Sequence, residues 1–137
     1  MKTKTTTPES ADQKALAQLL DTIRINGKPL RWCHVPHEGK RPTINIKGKE
    51  VPLYAIELKR KGVKPGVPDN LIFDSPPKFP KIKGLAIELK RSDGGKTTKY
   101  QDDWLEALAQ RGWAAVVCHG IDECIKTLEY YGYLRRR

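Results

Sequence analysis

Apolar residues along this chain follow two rhythms. Spacings of three and four mark helices, and short unbroken runs bounded by Gly and Pro mark buried strands. Leu16, Leu19, Leu20 and Ile23 form one stripe behind Thr7 as N-cap and Pro8 at the first helical position, which predicts a helix from Pro8 to the Asn26-Gly27 pair. Arg31 to Val35 predicts a first strand, and residues 42–50 an inserted hairpin turning at Gly48. Val51 to Lys61 predicts a helix with Leu53, Ile56 and Arg60 facing inward. Asn70 to Asp74 and Gly84 to Lys90 are apolar runs that predict two adjacent strands of a buried sheet. A helix from Thr97 or Thr98 to Gly112 carries the stripe Gln101, Trp104, Leu105 and Leu108. Trp113 to Cys118 predicts a third core strand; Asp122 then caps a last helix bearing Ile125, Leu128 and Tyr131 ahead of Gly132. That order of elements predicts one α/β domain, a mixed central sheet flanked by helices.

The two adjacent runs also carry charge. A hairpin loop centred near Lys78 and Phe79 sets Asp69 opposite Glu88, and alternation puts Glu88 and Lys90 on one face. Two close carboxylates repel unless a cation lies between them. Hard oxygen ligands suit Mg²⁺ or Mn²⁺, and a lysine beside them can hold or polarise a water. Asp74 falls on the opposite face of its strand and reads as structural. Glu9 and Gln13 fall on the apolar side of the first helix; Glu9 equally suits the helix dipole in a first turn. Gln101 equally completes a capping box with Thr98. The segment Ile56-Glu57-Leu58-Lys59-Arg60 repeats Ile87-Glu88-Leu89-Lys90-Arg91 letter for letter. On a helix Glu57 and Lys59 cannot share a site, so this copy reads as a solvated face. Lys59, Arg60, Lys61 and Lys64 then form a basic run able to contact phosphates.

Composition narrows the partners. The 137 residues carry 26 Lys and Arg against 16 Asp and Glu, a formal charge of +10, which favours a polyanion such as nucleic acid. No apolar run approaches membrane-spanning length, and no signal peptide is visible behind Met1. Cys33, Cys118 and Cys124 are odd in number and read as reduced, mostly buried thiols of a cytoplasmic protein. A zinc site would have to combine Cys33, His34 and His37 with Cys118 and His119, in no known spacing. There is no Walker-type and no dinucleotide glycine motif, hence no motor and no nucleotide cofactor. Flexible tails are expected over 1–8 and 135–137, around a domain over 9–134.

Gly62-Val63-Lys64-Pro65-Gly66-Val67-Pro68-Asp69, then Gly84 to Arg91, then Gln101 ahead of Trp104, resemble the virus-type replication-repair nuclease (VRR-NUC) domain. The form resembled is the small stand-alone one found in phages. The resemblance runs from about Glu9 to Tyr133 and implies the restriction-endonuclease-like fold. It implies a Mg²⁺- or Mn²⁺-dependent DNA endonuclease, with Asp69, Glu88, the Leu89 carbonyl and Glu9 as metal ligands. Lys90 is implied as the residue that activates water, with Gln101 beside it and Gln13 as a lesser neighbour. His37 and Glu38 depart from the family's Pro-Asn-Gly-Gly, although His37, Lys40 and Arg41 remain candidates for a loop near the scissile phosphate. Stand-alone members imply branched DNA, such as four-way junctions, cut by a homodimer in the cytoplasm of a bacterial or phage-infected cell. Two other readings stand beside this one. One is a non-catalytic DNA-binding module, which would require a damaged site although Asp69, Glu88 and Lys90 are all present. The other is a helper nuclease within a larger phage complex, with the same chemistry.

Overall fold

The Asn26-Gly27 pair does not end a helix. In the computed structural model, which describes residues 8–36 and 43–136, α1 spans Pro8–Leu20. Asn26 and Gly27 have φ of 52° and 79°. Consecutive positive φ values build the tight turn that suits a two-residue hairpin. It closes β1 (Arg24–Ile25) onto β2 (Lys28–Pro29). The helix therefore stops earlier than its apolar stripe implies, and Ile23 reaches the core from the connecting turn, 5% exposed. A second such turn at Lys47-Gly48 joins β4 (Thr43–Ile46) to β5 (Lys49–Pro52), the hairpin expected there. Because β5 takes up Val51 and Pro52, α2 starts later than expected and spans Leu53–Arg60. Arg60 is exposed rather than inward, its charge in solvent at the helix C-terminus where the dipole favours it.

The main sheet has the order β3-β6-β7-β8, with β3 Trp32–His34, β6 Asn70–Ile72, β7 Leu85–Lys90 and β8 Ala114–His119. The pair β3·β6 and the pair β6·β7 are antiparallel, and β7·β8 is parallel, a mixed sheet as expected. Asn70 faces Ile87 and Leu71 faces Ala86, which is the register of a loop centred on Lys78 and Phe79. Helix α3 (Lys99–Gln110) crosses between β7 and β8, and α4 (Gly120–Tyr131) follows β8.

The core collects Leu16 and Leu20 from α1, Leu85, Ile87 and Leu89 from β7, and Cys124 and Leu128 from α4, each 0–1% exposed. Each large aliphatic side chain so buried contributes roughly 1.5–3 kcal/mol. Alternation along β7 sends these odd-numbered residues to the α1 and α4 side and leaves Ala86, Glu88 and Lys90 for the other face. The α3 stripe of Gln101, Trp104, Leu105 and Leu108 is half-buried.

Two smaller expectations change. Helix α4 begins at Gly120 with His119 as N-cap, and Asp122 lies in its first turn. The Glu123 carboxylate accepts the His119 backbone N–H at 2.7 Å, and the His119 side chain makes no capping hydrogen bond. Cys33 is exposed, since it sits on the edge strand, whereas Cys118 and Cys124 are buried free thiols as expected. Of the expected tails, Pro8 opens α1 and Arg135 and Arg136 are exposed; residues 1–7, Arg137, and the loop residues His37, Glu38, Lys40 and Arg41 lie outside the described residues.

Candidate active site

The site forms where β6 begins and β7 ends. Pro68, Asp69 and Asn70 are buried there, with Asp69 4% and Glu88 1% exposed. Asp69 continues the β6·β7 register one step beyond Asn70 and Ile87, which brings it to Glu88. Its Oδ2 accepts the Leu89 backbone N–H at 2.7 Å. Its carbonyl accepts from the Val35 N–H and from the His34 ring Nδ1–H, both at 2.7 Å. The Pro-Asp turn is thus tied to the strands on both sides, and His34 serves as an anchor for Asp69.

Gly66 fixes the approach to this turn. It has φ of 85°, and a Cβ there would stand 2.5–2.7 Å from Tyr100 C, Tyr100 O and Gln101 N. Only a glycine lets the loop pack so close to the start of α3.

Glu88 is held from one side. Its Oε2 accepts from Gln101 Nε2 at 3.0 Å and lies 3.6 Å from Lys90 Nζ. Its Oε1 is buried with no hydrogen-bond partner. Burial first, then the Asp69 carboxylate beside it, pushes the Glu88 carboxyl up to about 8, with Lys90 opposing. A carboxylate pair with an orphaned buried oxygen is the donor set a hard divalent cation satisfies, so the residues fit Mg²⁺ or Mn²⁺. Among the described residues no three His, Cys, Asp or Glu side chains gather as a metal-ligand group. Glu9 therefore does not join Asp69 and Glu88 in a three-carboxylate cluster; it sits half-buried in the first turn of α1.

Gln101 does two jobs at once. Thr98 Oγ1 accepts its backbone N–H at 3.2 Å, and its Oε1 accepts the Thr98 N–H at 2.9 Å, the capping box of α3. The same Oε1 accepts Lys90 Nζ at 2.9 Å. A single side chain closes the helix end and bridges Lys90 to Glu88.

Other neighbours were not singled out by spacing. Asn70, fully buried, exchanges two 2.9 Å amide hydrogen bonds with Gln13, which ties α1 to the strand carrying Asp69. The signal was present as two polar residues on otherwise apolar faces. His119 is paired with Lys90 in the β7·β8 ladder, and its Nε2 bonds the Gly95 carbonyl at 3.1 Å. That bond holds the Gly94-Gly95 loop near the Lys90 stem, where a Gly95 Cβ would lie 3.6 Å from Lys90 Cβ. Asp74 is structural, as expected: its Oδ2 accepts the Arg31 N–H at 2.8 Å. Glu57 and Lys59 of the repeated segment are exposed on α2.

A mixed sheet flanked by helices, with an Asp on a Pro-Asp turn opposite a Glu-x-Lys strand, defines a restriction-endonuclease-like domain. The VRR-NUC domain model matches residues 10–122, and the chain belongs to the VRR-NUC domain family, nucleases that act on DNA. The match takes in Gln13, Asp69, Glu88, Lys90 and Gln101, and starts one residue after Glu9. A solved structure described as a VRR_NUC domain protein superposes with a TM-score of 0.71 at 28% identity, over 93% of this chain and 90% of that one. No curated protein matches the chain. Among the described residues no helix is long and apolar enough to cross a membrane.

Proposed function

We propose that this chain is a Mg²⁺- or Mn²⁺-dependent endonuclease that hydrolyses phosphodiester bonds in branched DNA, such as four-way junctions, as a homodimer. The observation that carries the reading is the buried Asp69–Glu88 pair, with Glu88 Oε1 unpartnered and Lys90 Nζ 3.6 Å from Oε2. Asp69, Glu88 and the Leu89 carbonyl would hold the metal, with Glu9 reaching it through water. When bound, the metal supplies Lewis acidity and lowers the cost of deprotonating a water.

The remaining work belongs to the chain. Lys90, on the same face as Glu88 and anchored by Gln101 Oε1, orients the attacking water and offsets charge on the phosphate. Gln101 keeps the ammonium from collapsing onto the carboxylate by bonding both. Asn70 and Gln13 hold the strand that presents Asp69. One such site cuts one strand, so paired incisions across a junction require two copies. The working compartment on this reading is the cytoplasm of a bacterial or phage-infected cell.

The test is cleavage of labelled four-way junction, flap and linear duplex DNA, with Mg²⁺, Mn²⁺ or chelator, by wild type and Lys90→Ala. Metal-dependent, Lys90-dependent paired cuts in the junction support the reading. Cutting of flaps alone keeps the site and rejects the junction. Wild-type rates from Lys90→Ala reject the mechanism.

A further inference from the structure

At the other end of the sheet, the loop between β6 and β7 meets the end of α4. Phe79 stacks on Tyr130 there, with ring centres 5.4 Å apart and planes at 29°. Tyr131 stands edge-on to both, at 5.7 and 5.0 Å. Tyr130 nevertheless keeps 62% of its surface exposed. Phe79 and Tyr130 border a cleft of about 530 Å³ together with Lys78, Lys126, Glu129 and Arg136.

The platform is built into the fold. The Lys78 backbone N–H donates to the Tyr131 carbonyl at 3.1 Å, and its Nζ to the Glu129 carbonyl at 3.2 Å. Gly132, with φ of 91°, permits this approach, since a Cβ there would stand 2.7 Å from Lys78 Cγ. Lys126 and Arg136 are exposed beside the rings.

We propose that this platform binds single-stranded DNA, an unpaired base stacking on Tyr130 and the adjoining phosphates lying against Lys126 and Arg136. A base offers its flat face to a side chain only when it is unpaired or at a duplex end. An exposed ring bordered by three cations and one carboxylate suits such a strand in both its parts. Along its length a duplex would bring phosphates alone and leave the ring unused. An apolar protein segment would bury the cations without partners. The surplus of +10 on the chain pulls in the same direction.

The position adds a constraint. The loop runs into the start of β7 and Lys90 ends that strand, and the strand's two ends lie roughly 16–17 Å apart. A DNA strand that touches both platform and candidate site must run beyond the reacting phosphate. The inference goes past the nuclease reading and does not depend on it.

The experiment is fluorescence anisotropy in chelator, with labelled oligo-dT alone and in competition with a relaxed closed-circular duplex, which has no ends. Tyr130→Ala should weaken single-strand binding about tenfold, Tyr130→Phe should restore it to within about twofold, and duplex affinity should change by less than about twofold. Unchanged single-strand binding by Tyr130→Ala overturns the proposal. An equal loss on duplex overturns it in favour of a plain electrostatic surface. A wild-type dimer that Tyr130→Ala converts to monomer in sedimentation overturns it in favour of self-association. The readout is binding and not cleavage, so an inactive nuclease would leave these outcomes readable.

Discussion

Lys90 Nζ and Gln101 Oε1 are 2.9 Å apart, and the same oxygen accepts the Thr98 N–H that caps α3. A helix end and the candidate catalytic ammonium thus share one acceptor. Removing the amide should cost both. Gln101→Leu is expected to lose about 1 kcal/mol of stability from the cap and, in addition, to slow cleavage at least about tenfold. Thr98→Ala should lose a similar amount of stability with a much smaller effect on cleavage. Urea melts and single-turnover rates on the two variants check this. Equal loss of rate in both would mean that Gln101 acts only as a cap.

Lys90→Ala is expected to abolish cleavage and leave DNA binding within about threefold, because one charge among many contributes little to overall phosphate attraction. Binding measured in chelator and cleavage measured in Mg²⁺ separate the two.

The metal should require the carboxylate pair. Asp69→Asn is expected to eliminate detectable Mg²⁺ and Mn²⁺ binding in calorimetry, whereas Glu9→Gln weakens it by about tenfold, as befits a residue acting through water. Identical losses in both variants would make Glu9 a direct ligand.

Stability of the metal-free protein should carry the signature of Glu88. Its carboxyl rises from 4.5 to about 8 on folding, for reasons of burial and of Asp69. A group that holds its proton more tightly when folded stabilises the fold below its unfolded value and loses that contribution as pH rises to the folded one. The wild type should therefore fall in Tm relative to Glu88→Gln between pH 4.5 and about 8. Thermal melts of both proteins in chelator across that window test it; parallel curves would remove Glu88 as the source.

The buried amide pair makes a packing prediction. Asn70→Leu strands the Gln13 amide and should cost about 1–3 kcal/mol, while Gln13→Leu with Asn70→Leu should cost less than the sum of the single changes. A double-mutant cycle in urea provides the coupling energy, and strict additivity would argue against the pair acting together.

Much of this was legible from local pattern. The Asp69–Glu88 pairing follows once the loop is taken as centred on Lys78 and Phe79, and the observed ladder of Asn70 on Ile87 has that register. The repeated Ile-Glu-Leu-Lys-Arg segment could be assigned by the helical period of its surroundings. What failed was punctuation. Asn26-Gly27 reads as a helix stop or a hairpin turn, and the stripe ending at Ile23 favoured the stop. Only the pairing of Arg24 with Pro29 decides between them. The Gln13–Asn70 contact joins residues 57 apart in the chain, and no local period encodes such a meeting. Gln101 was ambiguous between cap and site because one side chain performs both tasks.

Gly66 has a mechanical consequence. Its bare backbone lies against Tyr100 and Gln101, so the turn delivering Asp69 and the helix delivering Gln101 behave as one jointed piece. A methyl group inserted at that joint would pry the piece apart like a wedge. It would displace the acidic half of the site and the anchor of the lysine in a single movement, by pressing on the backbone of Tyr100 and Gln101.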